Sequence, residues 1–154
     1  MRKIFAVTLL SVAAFATQAM AATNFSGEWK LNLSKSDYGP VPAPETMERS
    51  IQQTDTTITS KTHQKGAQGE TRTETKYTLD GKECINTAGG STSKGTAKME
   101  GDKLIIESVR DFQGTELKSK ETWSLSGGGK VLTINNHIMV QGQELDLVVV
   151  LDKQ

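Results

Sequence analysis

The chain has little of what most catalytic and metal-binding sites require. Its 154 residues include one cysteine and two histidines. An internal disulfide is therefore excluded, and a zinc site would need several carboxylates close to a histidine. The sequence contains no nucleophile-elbow motif. The glycine run Gly127-Gly128-Gly129 is not a phosphate-binding loop, because no helix and no Lys-Ser/Thr pattern follows it. We therefore assign no catalytic residue, metal or cofactor, and we expect a protein that is not an enzyme.

An excess of charge of either sign is also absent. The chain has 18 basic and 18 acidic residues, and residues 1–21 contain two of the basic ones and none of the acidic ones. The remainder carries 16 basic and 18 acidic residues, scattered along the chain. A nucleic acid or an anionic membrane surface requires a basic face. We therefore expect no nucleic-acid partner, and we expect a monomer.

The first 21 residues have the pattern of a secretory signal peptide. Arg2 and Lys3 precede a mostly apolar stretch over 4–15, and Ala19-Met20-Ala21 fits the small-x-small cleavage rule. A membrane-spanning helix needs about 20 apolar residues, and no stretch of the chain is that long. The sequence thus predicts cleavage before Ala22, a secreted, periplasmic or extracellular protein without a membrane anchor, and a single domain over 22–154.

The remaining chain reads as a succession of β-strands. In 25–33, Phe25, Gly27, Trp29 and the two leucines share one parity while polar residues share the other, which is typical of a half-buried strand. Glycine turns such as Asp80-Gly81 separate later segments rich in Thr, Val and Ile. We predict an all-β fold, a single antiparallel up-and-down barrel of 8–10 strands, at 25–33, 45–53, 56–64, 69–79, 82–88, 91–99, 103–112, 115–125, 130–140 and 143–152.

The strand predicted at 69–79 is almost wholly polar. Charged residues at 70, 72, 74 and 76 alternate with Thr71, Thr73, Thr75 and Tyr77. A packed apolar sandwich would need more apolar residues here, whereas a barrel with a partly hydrated interior would not. The pattern suggests an internal cavity, and a strand at the exposed end of a packed barrel would explain it equally well.

Inward-facing polar residues on the middle strands are the candidate ligand-binding residues. Arg110 shares the parity of Leu104, Ile106 and Phe112, and a buried charge needs a partner. Glu121, on the inward parity of the next predicted strand, is the expected one. The alternatives for Arg110 are contact with an acidic ligand group, an internal ion pair, or a strand-end residue that reaches solvent. Asn136 and Tyr77 are weaker candidates of the same kind.

The segment from Phe25 to Gly39 resembles the opening of the calycin barrels, the lipocalins and the fatty-acid-binding proteins. Phe25-x-Gly27-x-Trp29-Lys30-Leu31 with a following Tyr38-Gly39 is more similar to the fatty-acid-binding branch. The Trp-Lys-Leu-Asn run, the Pro-rich loop and the Asp80-to-Cys84 turn also resemble secreted bacterial lipocalin-like proteins. The resemblance implies a closed barrel that holds a small apolar or amphipathic ligand.

Two departures from these families limit what the resemblance implies. Pro40–Pro44 occupies the place of the helical lid of the fatty-acid-binding proteins, and the last strand lacks their Arg-x-Tyr anchor and the lipocalin arginine. Trp29 is expected to fill the closed end of the barrel, with ligand contact as the alternative. Cys84 is expected to be buried, with a reactive thiol or an intermolecular disulfide as alternatives. Three functions stay open: a ligand-binding barrel, a packed structural or interaction module and, least supported, an enzyme on the same barrel.

Overall fold

A computed structural model describes residues 21–154 as ten antiparallel strands and two 3-10 turns. The predicted signal peptide lies outside the described residues except for Ala21. All ten predicted strands are present, with ends within two residues of those predicted. The strands are β1 (Gly27–Leu31), β2 (Thr46–Gln53), β3 (Thr57–Gly66), β4 (Gly69–Thr78), β5 (Cys84–Ala88), β6 (Ser91–Glu100), β7 (Lys103–Phe112), β8 (Thr115–Ser126), β9 (Val131–Val140) and β10 (Gln143–Lys153).

The strands form one sheet that curls into a nearly closed barrel. Their order is β4-β3-β2-β1-β10-β9-β8-β7-β6-β5, so every strand except β4 pairs with the next one in the chain, and β10 pairs with β1. Side chains alternate between the lumen and the outer face along every strand. This arrangement confirms the predicted all-β, up-and-down barrel.

The two edge strands, β4 and β5, meet without a backbone ladder. The Asn86 side chain replaces it: its Oδ1 accepts a hydrogen bond from the Lys76 N–H at 2.7 Å, and its Nδ2 donates to the Lys76 carbonyl at 3.3 Å. Cys84 Sγ accepts from the Thr78 N–H at 3.4 Å. The thiol is thus half-buried in the gap between the edge strands, beside the core.

One half of the barrel, which we call the closed half, is filled by side chains. It contains the turns at 53–57, 100–103 and 126–131 and is packed with apolar residues, the largest of which are Phe25, Trp29 and Trp123. Phe25 and Trp123 meet edge to face with ring centroids 5.9 Å apart. The opposite half, with the turns at 66–69, 88–91, 112–115 and 140–143, is the open half.

The Gly-x-Trp signature of β1 has a specific packing reason. Trp29 donates from Nε1 to the Phe25 carbonyl at 3.0 Å, and the Lys153 ammonium lies 5.3 Å from the indole centroid. Gly27 adopts φ +145°, and a Cβ there would lie 2.6 Å from Lys153 Cε. The positive φ favours glycine at this position, and the missing side chain leaves room for the Lys153 side chain to lie over Trp29.

The segment between β1 and β2 runs along β10 and then over the mouth. A 3-10 turn at Leu33–Lys35 is followed by two backbone hydrogen bonds between Asp37 and Val148, each 2.7 Å long. These contacts explain why Val148 and Val150 are apolar, although the alternation along β10 would place polar residues at both positions. The proline-containing stretch then reaches the β3–β4 turn, where Pro44 Cα lies 3.5 Å from the Cβ position of Gly66.

The connection between β8 and β9 differs from the flexible hairpin tip that its three glycines suggest. Gly127–Gly129 forms a second 3-10 turn. Gly127, Gly128 and Gly129 all have positive φ, which only glycine adopts at low energy. The connection is therefore a defined turn, closed by a 3.2 Å hydrogen bond from the Lys130 N–H to the Ser126 carbonyl.

Candidate functional site

Inward-facing side chains are buried to different extents in the two halves of the barrel. In the closed half, Trp29 and Trp123 are 1% and 2% exposed. In the open half, the inward-facing apolar residues of β8–β10 are only partly buried: Leu117, Ile138, Val140 and Leu145. Phe112, at the rim, is 58% exposed. Solvent therefore reaches the lumen from the open half.

The floor of this open region holds a cation that the sequence analysis did not select. Arg49 lies on β2 between the inward-facing Met47 and Ile51, and its Nε is shielded from solvent without a hydrogen-bond partner in the described residues. The Tyr38 hydroxyl is likewise shielded and has no partner within residues 21–154. Unsatisfied buried donors are costly and few in folded proteins.

Arg49 is surrounded by aromatic side chains and by one carboxylate, that of Glu121. Its guanidinium carbon lies 5.3 Å from the Trp123 ring centroid, within the range of a cation–π contact. Burial lowers the pKa of Arg49, while Glu121 and Tyr38 oppose that shift. Burial also raises the pKa of Tyr38, against the field of the Arg49 cation. An arginine stays protonated in proteins, so this site keeps a positive charge beside a neutral phenol.

The expected pairing of Arg110 with Glu121 is wrong. Arg110 does face the lumen, but its partner on β8 is Leu117, and Glu121 lies opposite Ile106. The two-residue turn at Gln113-Gly114 sets this register by pairing Phe112 with Thr115. Four residues along a strand separate Arg110 from Ile106, which is about 13 Å. The turn was visible in the sequence and would have given the correct partner.

Glu121 instead belongs to the floor of the lumen. Its Oε2 accepts a hydrogen bond from Trp123 Nε1 at 2.7 Å, and its register partner on β9 is Asn136. Asn136 Oδ1 accepts from the Ser119 hydroxyl at 2.8 Å. The structure thus places Glu121 beside Asn136 and close enough to Arg49 to affect its pKa, and it leaves Arg110 nearer the mouth.

Tyr77 and Trp29, the other candidate ligand-binding residues, lie lower in the barrel. Tyr77 is buried in the closed half, where burial and then the field of Glu121 raise its pKa to about 12. Gly95 makes room for this ring, since a Cβ there would lie 3.1 Å from Tyr77 Cε1 and 2.7 Å from the Glu107 carbonyl oxygen. Trp29 is enclosed by core residues. Ligand contact by these two residues stays a prediction.

Both histidines lie on the outer face, each beside a carboxylate. His137 Nδ1 is 2.7 Å from Asp146 Oδ1, and this hydrogen bond raises the pKa of His137. His63 is hydrogen-bonded to Glu70, whose pKa is lowered by bonds from His63 and Arg72. Neither pair faces the lumen. These pairs therefore place no acid–base chemistry in the candidate ligand site.

Several clefts lie on the surface of the barrel. Two of them, of about 480 and 390 Å³, are lined chiefly by outward-facing side chains of β6–β9 and β1–β4. A third, of about 310 Å³, lies at the mouth between the segment 41–44 and the β3–β4 turn. In residues 21–154, no group of three or more His, Cys, Asp or Glu side chains could hold a metal ion. No helix in that range is long and apolar enough to cross a membrane.

Similar proteins were found by structure and not by sequence. No protein family and no curated protein sequence matches the chain. The zebrafish ileal bile acid-binding protein complexed with cholic acid has a TM-score of 0.61 and 23% identity over 84% of this chain and 98% of its own. A point mutant of the fluorescent protein UnaG has a TM-score of 0.59 and 19% identity over 84% of this chain and 96% of its own.

A third similar structure is a secretary abundant heat soluble protein from Ramazzottius varieornatus. It has a TM-score of 0.65 and 9% identity over 87% of this chain and 98% of its own. At identities this low the similarity concerns the fold alone. Together with the ten-stranded sheet order, it shows that the chain folds as a calycin-like β-barrel.

Proposed function

We propose that this barrel binds one small apolar or amphipathic molecule in its open half. The observation that carries the proposal is the partial exposure of inward-facing apolar side chains there, including Leu117, Ile138 and Val140. Covering apolar surface is worth roughly 25 cal/mol per Å² removed from water. A ligand seated against these residues would gain this free energy without unfolding any part of the closed half. The three similar structures include a protein solved with a bound bile acid, which supports the same conclusion.

The polar groups of the lumen favour a ligand with one acidic group. The inward-facing charged residues above the closed half include two basic side chains, Arg49 and Arg110, and one acidic side chain, Glu121. Arg49 Nε and the Tyr38 hydroxyl are two donors that lack partners within the described residues. The two side chains lie close enough for each to affect the pKa of the other. We therefore place the acidic group at Arg49 and Tyr38, with Arg110 nearer the mouth as a second attractive charge.

Fluorescence titration with the neutral apolar probe N-phenyl-1-naphthylamine tests the proposal. Wild-type protein should bind the probe saturably with one site. Ile138→Trp, which fills the lumen, should weaken binding at least tenfold. Met139→Trp is the matched control, because Met139 is the next residue, faces outward and is 38% exposed. Absence of saturable binding by the wild type, or equal loss in the two variants, would contradict the proposal.

The preference for a ligand with an acidic group is tested with an anionic probe that has the same aromatic skeleton as N-phenyl-1-naphthylamine. The probe 8-anilinonaphthalene-1-sulfonate differs from the neutral probe by its sulfonate. Arg49→Gln should weaken its binding roughly tenfold or more, since hydrogen bonds to charged groups contribute about 1.5–3 kcal/mol. Binding of the neutral probe should change little. Arg72→Gln, on the outer face of β4, is the control, and equal losses for both probes would overturn the role of Arg49.

The alternative is a packed barrel that serves as a structural or interaction module. Two results would support this alternative. The wild-type protein would bind neither probe, and native mass spectrometry of protein purified from its own source would detect no bound small molecule. An enzyme on the same barrel has no supporting observation, because the two histidine–carboxylate pairs face outward.

We also propose that the chain is exported and cleaved before Ala22. Support comes from the charged, apolar and small-residue pattern of 1–21. N-terminal sequencing of the protein recovered from its source should start at Ala22, and a start at Met1 would overturn the proposal.

A further inference from the structure

The gap between β4 and β5 is sealed by side chains at one end only. Two side chains of β5 bond to the backbone of Lys76 and Thr78. Continued by two residues, the same antiparallel register sets Ala88, the last residue of β5, beside Glu74. The first part of β4, which we call the free edge (residues 69–73), therefore projects past the end of β5.

The free edge carries backbone groups that no other part of the barrel uses. Along a strand, successive residues direct their N–H and C=O groups to opposite sides. Because Lys76 and Thr78 direct theirs toward the gap, Glu70 and Arg72 do the same. No strand and no side chain within residues 21–154 bonds to the backbone of these two residues on that side. Since Glu70, Thr71 and Arg72 are all exposed, the free edge is open to pairing with another chain.

The charges of the free edge select one antiparallel register with a second copy. Residues whose backbone groups face the edge must lie opposite each other. Pairing Glu70 with Arg72 of a second copy brings opposite charges together twice, by symmetry, and sets Thr71 opposite itself. A shift of two residues in either direction sets Glu70 opposite Glu70 or Arg72 opposite Arg72, and like charges directly opposite destabilise a strand pair. A shift of four residues toward Glu74 matches opposite charges again, but it uses the part of β4 that lies beside β5.

The Glu70 and Arg72 side chains have bonding capacity left for a second copy. Within one chain, Glu70 Oε1 accepts from Arg72 Nη2 at 2.8 Å and is also bonded to His63 Nε2. No hydrogen bond within residues 21–154 uses Glu70 Oε2 or Arg72 Nη1. The two side chains are 49% and 72% exposed. A carboxylate oxygen and guanidinium N–H groups are thus available on the outer face beside the edge.

We infer that two copies of this chain associate through the free edges of their β4 strands, which continues the sheet as β3-β4-β4-β3 across a two-fold axis. Pairing of Glu70 with Arg72 in both directions supplies four backbone hydrogen bonds in addition to the charge pairs. A contact of a few residues on each side is smaller than the roughly 1,200 Å² of a stable interface. The dimer should therefore be weak, with a dissociation constant between roughly 10 µM and 1 mM. The inference departs from the expected monomer, and it does not rest on ligand binding in the lumen.

Charge reversal tests the register. Glu70→Arg and Arg72→Glu, made separately, set like charges opposite each other and should each weaken self-association at least about fivefold in sedimentation velocity. The double variant exchanges the two charges and should associate as the wild type does. A mixture of the two single variants should form a heterodimer, because each reversed charge then meets its opposite. Glu107→Arg, at a 57% exposed position on the outer face of β7, is the matched control and should leave association unchanged.

Amide exchange distinguishes strand pairing from loose attraction between charged surfaces. Exchange at Glu70 and Arg72 should slow as the protein concentration rises through the dissociation constant. Exchange at Thr71, whose N–H faces β3, should change less. A wild-type protein that stays monomeric up to about 1 mM, unchanged exchange at both residues, or a double variant and a mixture that do not regain association would each overturn the inference. The edge charges would then serve only to keep other strands away.

Discussion

The closed and open halves of this barrel are built from the same strands but are stabilised differently. In the closed half, inward-facing Phe25, Trp29 and Trp123 exclude solvent almost completely. In the open half, inward-facing aliphatic side chains are partly exposed, and Arg49 and Tyr38 each keep a donor without a partner in the described residues. One end of the lumen therefore provides folding free energy, while the other leaves apolar surface partly exposed and two buried polar atoms without a partner in the described residues.

The strongest effect on stability should come from a residue of the closed half. Trp29→Ala should lower the free energy of unfolding by roughly 3–5 kcal/mol, because it removes a fully buried indole and leaves a cavity. Phe112→Ala, at the exposed rim of the open half, should change it by less than about 0.5 kcal/mol. Urea unfolding measures both. Similar losses in the two variants would remove the contrast between the halves.

The next effect lies at the gap between β4 and β5. Asn86→Leu keeps the number and branching of the side-chain heavy atoms but removes both hydrogen bonds to the Lys76 backbone, and should cost about 1–3 kcal/mol of unfolding free energy. Amide exchange at Lys76 should accelerate more than exchange within the β8–β9 ladder. Asn135→Leu, at an exposed position on the outer face of β9, is the control. An unchanged exchange rate at Lys76 would show that the side chain does not join the edges.

A substitution at Arg49 should separate stability from binding. Arg49→Met removes a buried donor without a partner and keeps an apolar stem, so the free energy of unfolding should rise by about 1 kcal/mol. Affinity for 8-anilinonaphthalene-1-sulfonate should fall in the same variant. A loss of stability would mean that Arg49 supports the fold, and the open half would then not be organised for binding.

The weakest effect lies outside both halves, at His137 on the outer face. Its hydrogen bond to Asp146 raises the pKa of His137 in the folded state. The stabilisation is therefore present below the unfolded pKa of about 6.5 and is lost as pH rises through the higher folded value. NMR titration of the imidazole should show the raised pKa, and Asp146→Asn should return it toward the unfolded value. Such a change should leave probe binding in the lumen unaltered.

Local patterns allowed much of the fold to be predicted. Strict alternation identified the inward faces of β7–β10, and glycine turns separated nearly every strand because few residues other than glycine adopt positive φ there. The same alternation places Arg49 between Met47 and Ile51, so this residue could have been found as Arg110 was. The importance of Arg49 could not be predicted from the sequence, because its lack of a hydrogen-bond partner depends on which side chains surround it in three dimensions.

Alternation and turn chemistry, both readable in the amino-acid sequence, were sufficient for the class of fold, the order of the strands along the chain and the side of each strand that faces inward. Two further features emerged only once the chain was folded: Glu121 lies on the floor near Arg49 rather than beside Arg110, and Asn86 joins the edge strands. These features depend on cross-strand register and on closure of the sheet, which bring together residues far apart in the chain.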